Sequence, residues 1–239
     1  MLFTACVAGY HLSTFSLNMK KILAFAALSV LTVAAHAATP VASRLSISAD
    51  AGTLGAGLTA QLDLARNFDA RAGLHGMNYS YNTTSQGIAY NGHLKLESAD
   101  FFADWHPFSG AFHLTGGIIV NNNRFNLTGS ATSGTYTFNG ATYTAAQAGS
   151  VDAKVTFNRV APYLGIGWNT GHAGQAGLHF TSDIGVMYQG SPQARITATG
   201  SAANPVLASD VAASQAQLQS DLNSFRFYPV VQIGLAYRF

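Results

Sequence analysis

From residue 43 onward, apolar side chains recur at every second position over stretches of about nine residues or more, separated by clusters of Gly, Asn, Ser and Thr. A period of two belongs to a β-strand with one apolar and one polar face. At the end of the chain Val231, Ile233, Leu235, Tyr237 and Phe239 fall on one face, and Gln232, Gly234, Ala236 and Arg238 on the other. The same split sets Leu54, Ala56, Leu58, Ala60 and Leu62 against Gly55, Gly57, Thr59 and Gln61. It returns in Leu178, Phe180, Ile184, Val186 and Tyr188 against His179, Thr181, Asp183 and Gly185. Read this way, the chain predicts strands over 43–51, 54–64, 68–80, 87–106, 112–124, 153–169, 175–189 and 223–239.

The connections alternate in length. Ala65–Phe68, Pro107–Gly110 and Asn169–Gln175 are short, Gly52-Thr53 is a tight turn, and the stretches near 125–152 and 190–222 are long and rich in Ser, Thr, Ala, Gly and Asn. An even number of strands with short turns at one end and long ones at the other predicts an all-β fold. It is an eight-stranded antiparallel up-and-down transmembrane β-barrel with short periplasmic turns and long extracellular loops. Two places are irregular. In the fourth strand the apolar face switches from Leu94 and Leu96 to Phe101, Ala103 and Trp105, which predicts a bulge or register change above the membrane. In the second long loop, Val206, Leu207, Val211, Leu218 and Leu222 stand at roughly helical spacing after Pro205, and both a short amphipathic helix and a mobile loop fit.

Composition points to lipid. Of 239 residues 48% are hydrophobic and 9% charged, too few charges for a surface wholly in water. Outside the leader no apolar run is long enough for a spanning helix, so a closed barrel is the way to satisfy the backbone in a membrane. Met19-Lys20-Lys21, the apolar run Ile22–Ala35 and the small-residue site Ala35-His36-Ala37 form a secretory signal with cleavage expected after Ala37. Residues 1–37 are therefore read as a leader and 38–239 as a single barrel domain, with Met19 preferred over Met1 as the start. Thr4-Ala5-Cys6 lacks the leader of a lipoprotein site, and without further cysteine the mature chain has no disulfide or thiolate metal site. Removing Lys20 and Lys21 leaves ten basic against ten acidic residues, which gives nucleic acid no electrostatic footing.

Alternation points Asp50, Gln61, Arg71, His75, Asp100, Asp104, His113, Arg159, Tyr163, His179, Asp183, Arg226 and Arg238 into the lumen. Two readings compete: a polar constriction that contacts a solute, or four arginines and four aspartates that neutralise one another and fill a space just wide enough for side chains. The second is preferred, because an unpaired ion in so narrow a lumen is costly. Lipid A-modifying catalysis is disfavoured, since His75, His113 and His179 face inward and no His and Ser stand at a suggestive spacing. Trp105, Phe108, Phe112, Trp168, Tyr237 and Phe239 gather at the short turns as an aromatic girdle. Gly165 and Gly167 ease tight curvature and form no nucleotide motif. No cofactor and no metal are expected.

Gln232, Gly234, Tyr237 and Phe239 fit a polar, Gly, aromatic, aromatic pattern that resembles the C-terminal signal of outer-membrane barrels. That resemblance implies the barrel assembly machinery as a partner. Ala161-Pro162-Tyr163-Leu164-Gly165-Ile166-Gly167, Ile184–Pro192 and Tyr228-Pro229-Val230-Val231 resemble the family of the carbapenem-associated outer-membrane protein, also called the ornithine uptake porin. The resemblance covers about the last third of the chain. It implies a monomeric barrel of the bacterial outer membrane, among its lipids and lipopolysaccharide, that admits small solutes such as basic amino acids. The family's charged outer loops are missing, since 190–222 carries only Arg195, Asp210 and Asp221, and cationic solutes are left without an obvious filter. The alternative is a sealed barrel that anchors or contacts a partner.

Overall fold

A computed structural model describes residues 44–85, 87–131, 133–172 and 176–239. The leader from Met19 to Ala37 and Cys6 lie outside the described residues, as do positions 173–175 of the third short turn. In chain order the elements are β1 (Leu45–Gly52), β2 (Gly55–Ala65), β3 (Phe68–Ser85), β4 (Ile88–Trp105), β5 (Phe112–Asn121), β6 (Arg124–Ala131), β7 (Thr135–Phe138), β8 (Ala141–Thr144) and α1 (Ala145–Ala148). There follow β9 (Val151–Thr156), β10 (Val160–Asn169), β11 (Gly177–Tyr188), β12 (Gln193–Ala198), α2 (Pro205–Leu222) and β13 (Phe227–Arg238). Strands β1 to β5, β10, β11 and β13 form the closed antiparallel ring of eight, in the order β4-β3-β2-β1-β13-β11-β10-β5, with β5 returning to β4.

Alternation holds around the ring. Leu58, Leu74, Phe101, Leu114, Ile118, Leu164, Leu178, Ile184, Ile233 and Leu235 point outward and are exposed, while the residues between them line the inside. Tyr188 stacks obliquely on Phe227 at the long-loop end of this apolar belt, and Phe112 meets Trp168 edge-on at the short-turn end, with Tyr237 against Phe239. From Phe227 to Tyr237, ten residues at about 3.3 Å each and a tilt of about 40° give a belt about 25 Å tall, the height of a lipid-facing band. Of the residues expected in an aromatic girdle, Trp105, Phe108, Trp168 and Tyr237 are exposed.

The bulge expected in β4 is absent. Its register with β3 runs without a shift from Phe68↔Trp105 to Ser85↔Ile88, and its even-numbered residues face inward throughout. What changes is the surroundings. Below Ser98 the inner face is polar (Asp100, Asp104) and the outer face apolar (Phe101, Trp105); above it the inner face is apolar (Ile88, Leu94, Leu96) and the outer face polar (His93, Glu97). A strand that leaves lipid for water must exchange its faces while its pleat continues, and a sequence-only view mistakes that exchange for a slip.

Two further expectations change. The 112–124 strand ends at Asn121, and β6 resumes at Arg124 on the upper part of β4; the 153–169 strand divides into β9 and β10. The long connections are thus not open loops. Strands β6, β9 and β12 extend the sheet outward from β4. On their inner face Ile88, Tyr136, Phe138, Tyr143, Ala148, Ala198, Leu207 and Val211 form a second core between the sheet, the β7–β8 hairpin and α2. In β7 and β8 Thr alternates with the aromatics, a pattern hidden by the Ser and Thr around it. Of the two readings of 204–222, the structure takes the helix: Asn204 Oδ1 accepts from the backbone N–H of Val206 and Leu207 (3.1 and 3.2 Å), with Pro205 in the first turn. From α2, Gln219 Oε1 and Gln215 Oε1 accept from the N–H groups of Ala194 and Ile196 (2.9 Å each), on the free edge of β12.

Asp210 of α2 accepts a 2.5 Å hydrogen bond from Tyr143 Oη and one from Asn139 Nδ2 (3.1 Å). The Tyr143 bond, then the Asn139 bond, hold its carboxyl below the usual carboxylate range. A carboxyl depressed in the fold stabilises above its unfolded value, about 3.9, and the contribution is lost as pH falls through the lower folded value. Acidification is therefore expected to loosen the α2–β8 contact at that low pH, read as loss of near-ultraviolet tyrosine circular dichroism. Asp210→Asn should remove this acid step; a step unchanged in that variant would refute the assignment.

Candidate functional site

The barrel interior is the place where ionisable groups gather, and it is built in layers. Nearest the long-loop end, Tyr163 stacks on Phe102 with 4.6 Å between ring centres, surrounded by Leu54, Ile119, Ala161, Met187 and Val230, all fully buried. Gly165 and Gly185 flank the Tyr163 ring so closely that a Cβ at either would strike its hydroxyl. Their lack of side chain is what lets a large ring lie across so small a lumen.

Below this apolar layer lies His75, whose Nδ1 is 2.8 Å from Asp100 Oδ2 and whose Nε2 is 3.8 Å from Asp50. In the next layer Arg71 donates from Nη1 and Nη2 to both oxygens of Asp183 (2.8 Å each), and its Nη2 also reaches Asp104 Oδ1 at 2.9 Å. Its Nε lies 2.5 Å from Asp104 Oδ2. Thr115 donates to Asp104 (2.7 Å), and His113 Nε2 lies 3.1 Å from Asp183. A guanidinium fork that meets two carboxylates satisfies most of its donors and offers little to a passing solute.

At the short-turn end Asp69 Oδ2 accepts from Gln61 Nε2 (2.7 Å) and is approached by His106 Nε2 (2.9 Å) and His172 Nδ1 (3.3 Å). Asn169 donates to Gln61 (2.9 Å), and Arg238 bonds Asp63 and the Gly171 carbonyl.

Of the expected lumen residues, Arg71, His75, Asp100, Asp104, Tyr163 and Asp183 come together inside, and Arg238 closes the short-turn end. Arg159 and Arg226 do not belong there. Arg159 lies just before β10 begins and Arg226 just before β13; both are exposed above the ring, because their strands enter the wall one residue later. Asp63, Asp69, His106 and His172 are interior residues the sequence reading passed over. Asp69 continues the inward parity of Arg71 and His75, and Asp63 that of Gln61, so alternation would have found them; the two histidines sit on turns, where alternation is silent. The expected balance of four arginines and four aspartates is replaced by Arg71 and Arg238 against Asp50, Asp63, Asp69, Asp100, Asp104 and Asp183, with imidazoles as the remaining partners.

Outside the barrel, Ser80 Oγ and His93 Nδ1 are 3.0 Å apart, paired across the β3–β4 hairpin on its exposed outer face. The sequence reading found no such pair, because the two residues become neighbours only through the hairpin register. A nucleophile also needs a group that orients the histidine, and among the described residues the His93 ring has no second hydrogen bond.

No protein-family model matches the chain, and no curated protein does. Among solved structures, Acinetobacter baumannii CarO2 aligns over 82% of this chain and 98% of its own, with a TM-score of 0.55 and 17% identity. The chain has the CarO fold. A. baumannii CarO aligns over 84% of this chain and 98% of its own, with a TM-score of 0.52 and 18% identity. The resemblance read in the last third of the sequence thus extends to the barrel as a whole. At these identities the likeness is one of architecture, and the side chains of the CarO-like barrel described above must be argued on their own chemistry.

Proposed function

We propose that the chain is an outer-membrane barrel whose lumen is shut by its own side chains, and whose task falls to the folded head it carries to the cell surface. The observation that carries this reading is the pair of closed layers, Arg71 clamped between Asp104 and Asp183 beneath the Tyr163–Phe102 stack. The apolar belt, the two aromatic rims and the porin-type barrel fold support an outer-membrane location among lipids and lipopolysaccharide, reached as a monomer through the barrel assembly machinery. The short turns then face the periplasm and the head faces outward.

Uptake of small solutes such as basic amino acids is the second reading, favoured by the CarO fold. It requires both layers to move aside, and a buried guanidinium with two carboxylate partners resists that. Refolded protein in a planar bilayer is expected to add no steady conductance above bare lipid, with or without ornithine. Persistent unitary steps that ornithine blocks would overturn the sealed reading in favour of uptake.

A further inference from the structure

The Asp69 cluster contains a conflict of hydrogen-bonding roles. His106 Nδ1 is 2.8 Å from the Gly110 carbonyl oxygen, and His172 Nε2 is 3.1 Å from that of Arg66. A carbonyl oxygen only accepts, so each ring spends an N–H on the backbone. In a neutral imidazole the other nitrogen then carries a lone pair. Those nitrogens, His106 Nε2 and His172 Nδ1, both aim at Asp69 Oδ2, an acceptor already holding the Gln61 amide. Three electron-rich atoms thus converge, on side chains only 0 to 5% exposed. The second carboxylate oxygen, Asp69 Oδ1, is buried and has no hydrogen-bond partner among the described residues.

A proton on one ring relieves one contact. Protons on both would place two imidazolium rings face to face, with centres 3.4 Å apart and planes 4° from parallel. A single divalent cation relieves every contact at once.

We propose that Asp69, His106 and His172 form a binding site for a divalent first-row transition-metal ion of the zinc type at the short-turn mouth of the barrel. The donor set of two imidazoles and one carboxylate suits such ions. The donor atoms lie within 4.8 Å of one another, and the two nitrogen-to-carboxylate separations of 2.9 and 3.3 Å compare with the edge of about 3.3 Å expected of a tetrahedral zinc site. Backbone carbonyls that fix each ring through its far N–H are the outer support such ligands ordinarily have, and Gln61, itself held by Asn169, orients the carboxylate.

Because a metal prefers the plane of each imidazole, binding has to splay the parallel rings. His172, on the β10–β11 turn, would be the ring that turns, pivoting on its bond to the Arg66 carbonyl. A fourth position is left to water. The ion would brace three parts of the barrel end distant in sequence: the start of β3, the β4–β5 turn and the β10–β11 turn.

The test uses the full chain, without a histidine tag, refolded in detergent and titrated with zinc by calorimetry and with cobalt by visible absorption. Expected are one tightly bound zinc per chain and a tetrahedral cobalt band. His172→Gln and the isosteric Asp69→Asn should each weaken zinc at least about 100-fold, more than the loss of an outer-shell partner. His93→Gln, far up the exposed hairpin, should leave it unchanged. Heat-modifiable gel migration verifies that each variant has folded, and His172→Gln, a turn substitution, serves if Asp69→Asn does not fold. Absence of saturable zinc binding in the unsubstituted chain, or equal affinity in folded His172→Gln, would overturn the proposal.

Discussion

Replacing Arg71 with Met is expected to lower the unfolding free energy of the refolded barrel by about 3–5 kcal/mol, the range found when one member of a buried ion pair is removed. The cause is not the lost attraction alone. Asp104 and Asp183 would both stay in a lumen where Arg71 is their shared cation, with Thr115 and His113 as their further partners among the described residues. Urea unfolding in lipid vesicles, followed by tryptophan emission from Trp105 and Trp168, measures the change. A companion chain carrying Arg71→Met with Asp104→Asn and Asp183→Asn should recover much of the loss, since the charges left without a partner are then gone. Arg159→Ala, at an exposed position, should move stability by less than about 0.5 kcal/mol. A small effect of Arg71→Met would mean that water already reaches this layer, and the closed-lumen reading would fall with it.

Leu207→Ala should cost about 2–5 kcal/mol, but in a different place. Leu207 is wholly buried between α2 and the aromatics of the β7–β8 hairpin, within a core separate from that of the lumen. The head is expected to open while the ring of eight strands persists. Proteolysis should therefore cut within residues 133–156 and 193–222, on either side of the wall strands β10 and β11, leaving a barrel that still shifts on heating before electrophoresis. If the whole chain unfolds at once instead, the two cores are one cooperative unit.

The barrel was legible in the chain because lipid outside and side chains inside impose a two-residue period, and each short turn interrupts it visibly. All eight wall strands were expected near where they lie, from Leu45–Gly52 to Phe227–Arg238. The head was not legible. Its strands are four to eight residues long, and its core rests on Tyr136, Phe138 and Tyr143 spaced among threonines, in stretches whose composition is that of loops. In β4 the signal was present but misread, since polarity exchanged faces at Ser98 without any slip of register. The Asp69 cluster draws on residues 37 and 66 positions apart, so no local spacing announces it; only the closed ring brings those turns together.

The two glutamines that α2 lays along β12 have a wider consequence. A sheet that grows outward from a barrel wall ends in a row of unsatisfied amides, a ready template for a strand from another molecule. Carboxamides from a helix occupy that row here, so the surface is guarded only while the helix is in place. Loss of Leu207 would then do more than loosen a core: it would turn a guarded sheet edge into one able to recruit a strand from a neighbouring molecule.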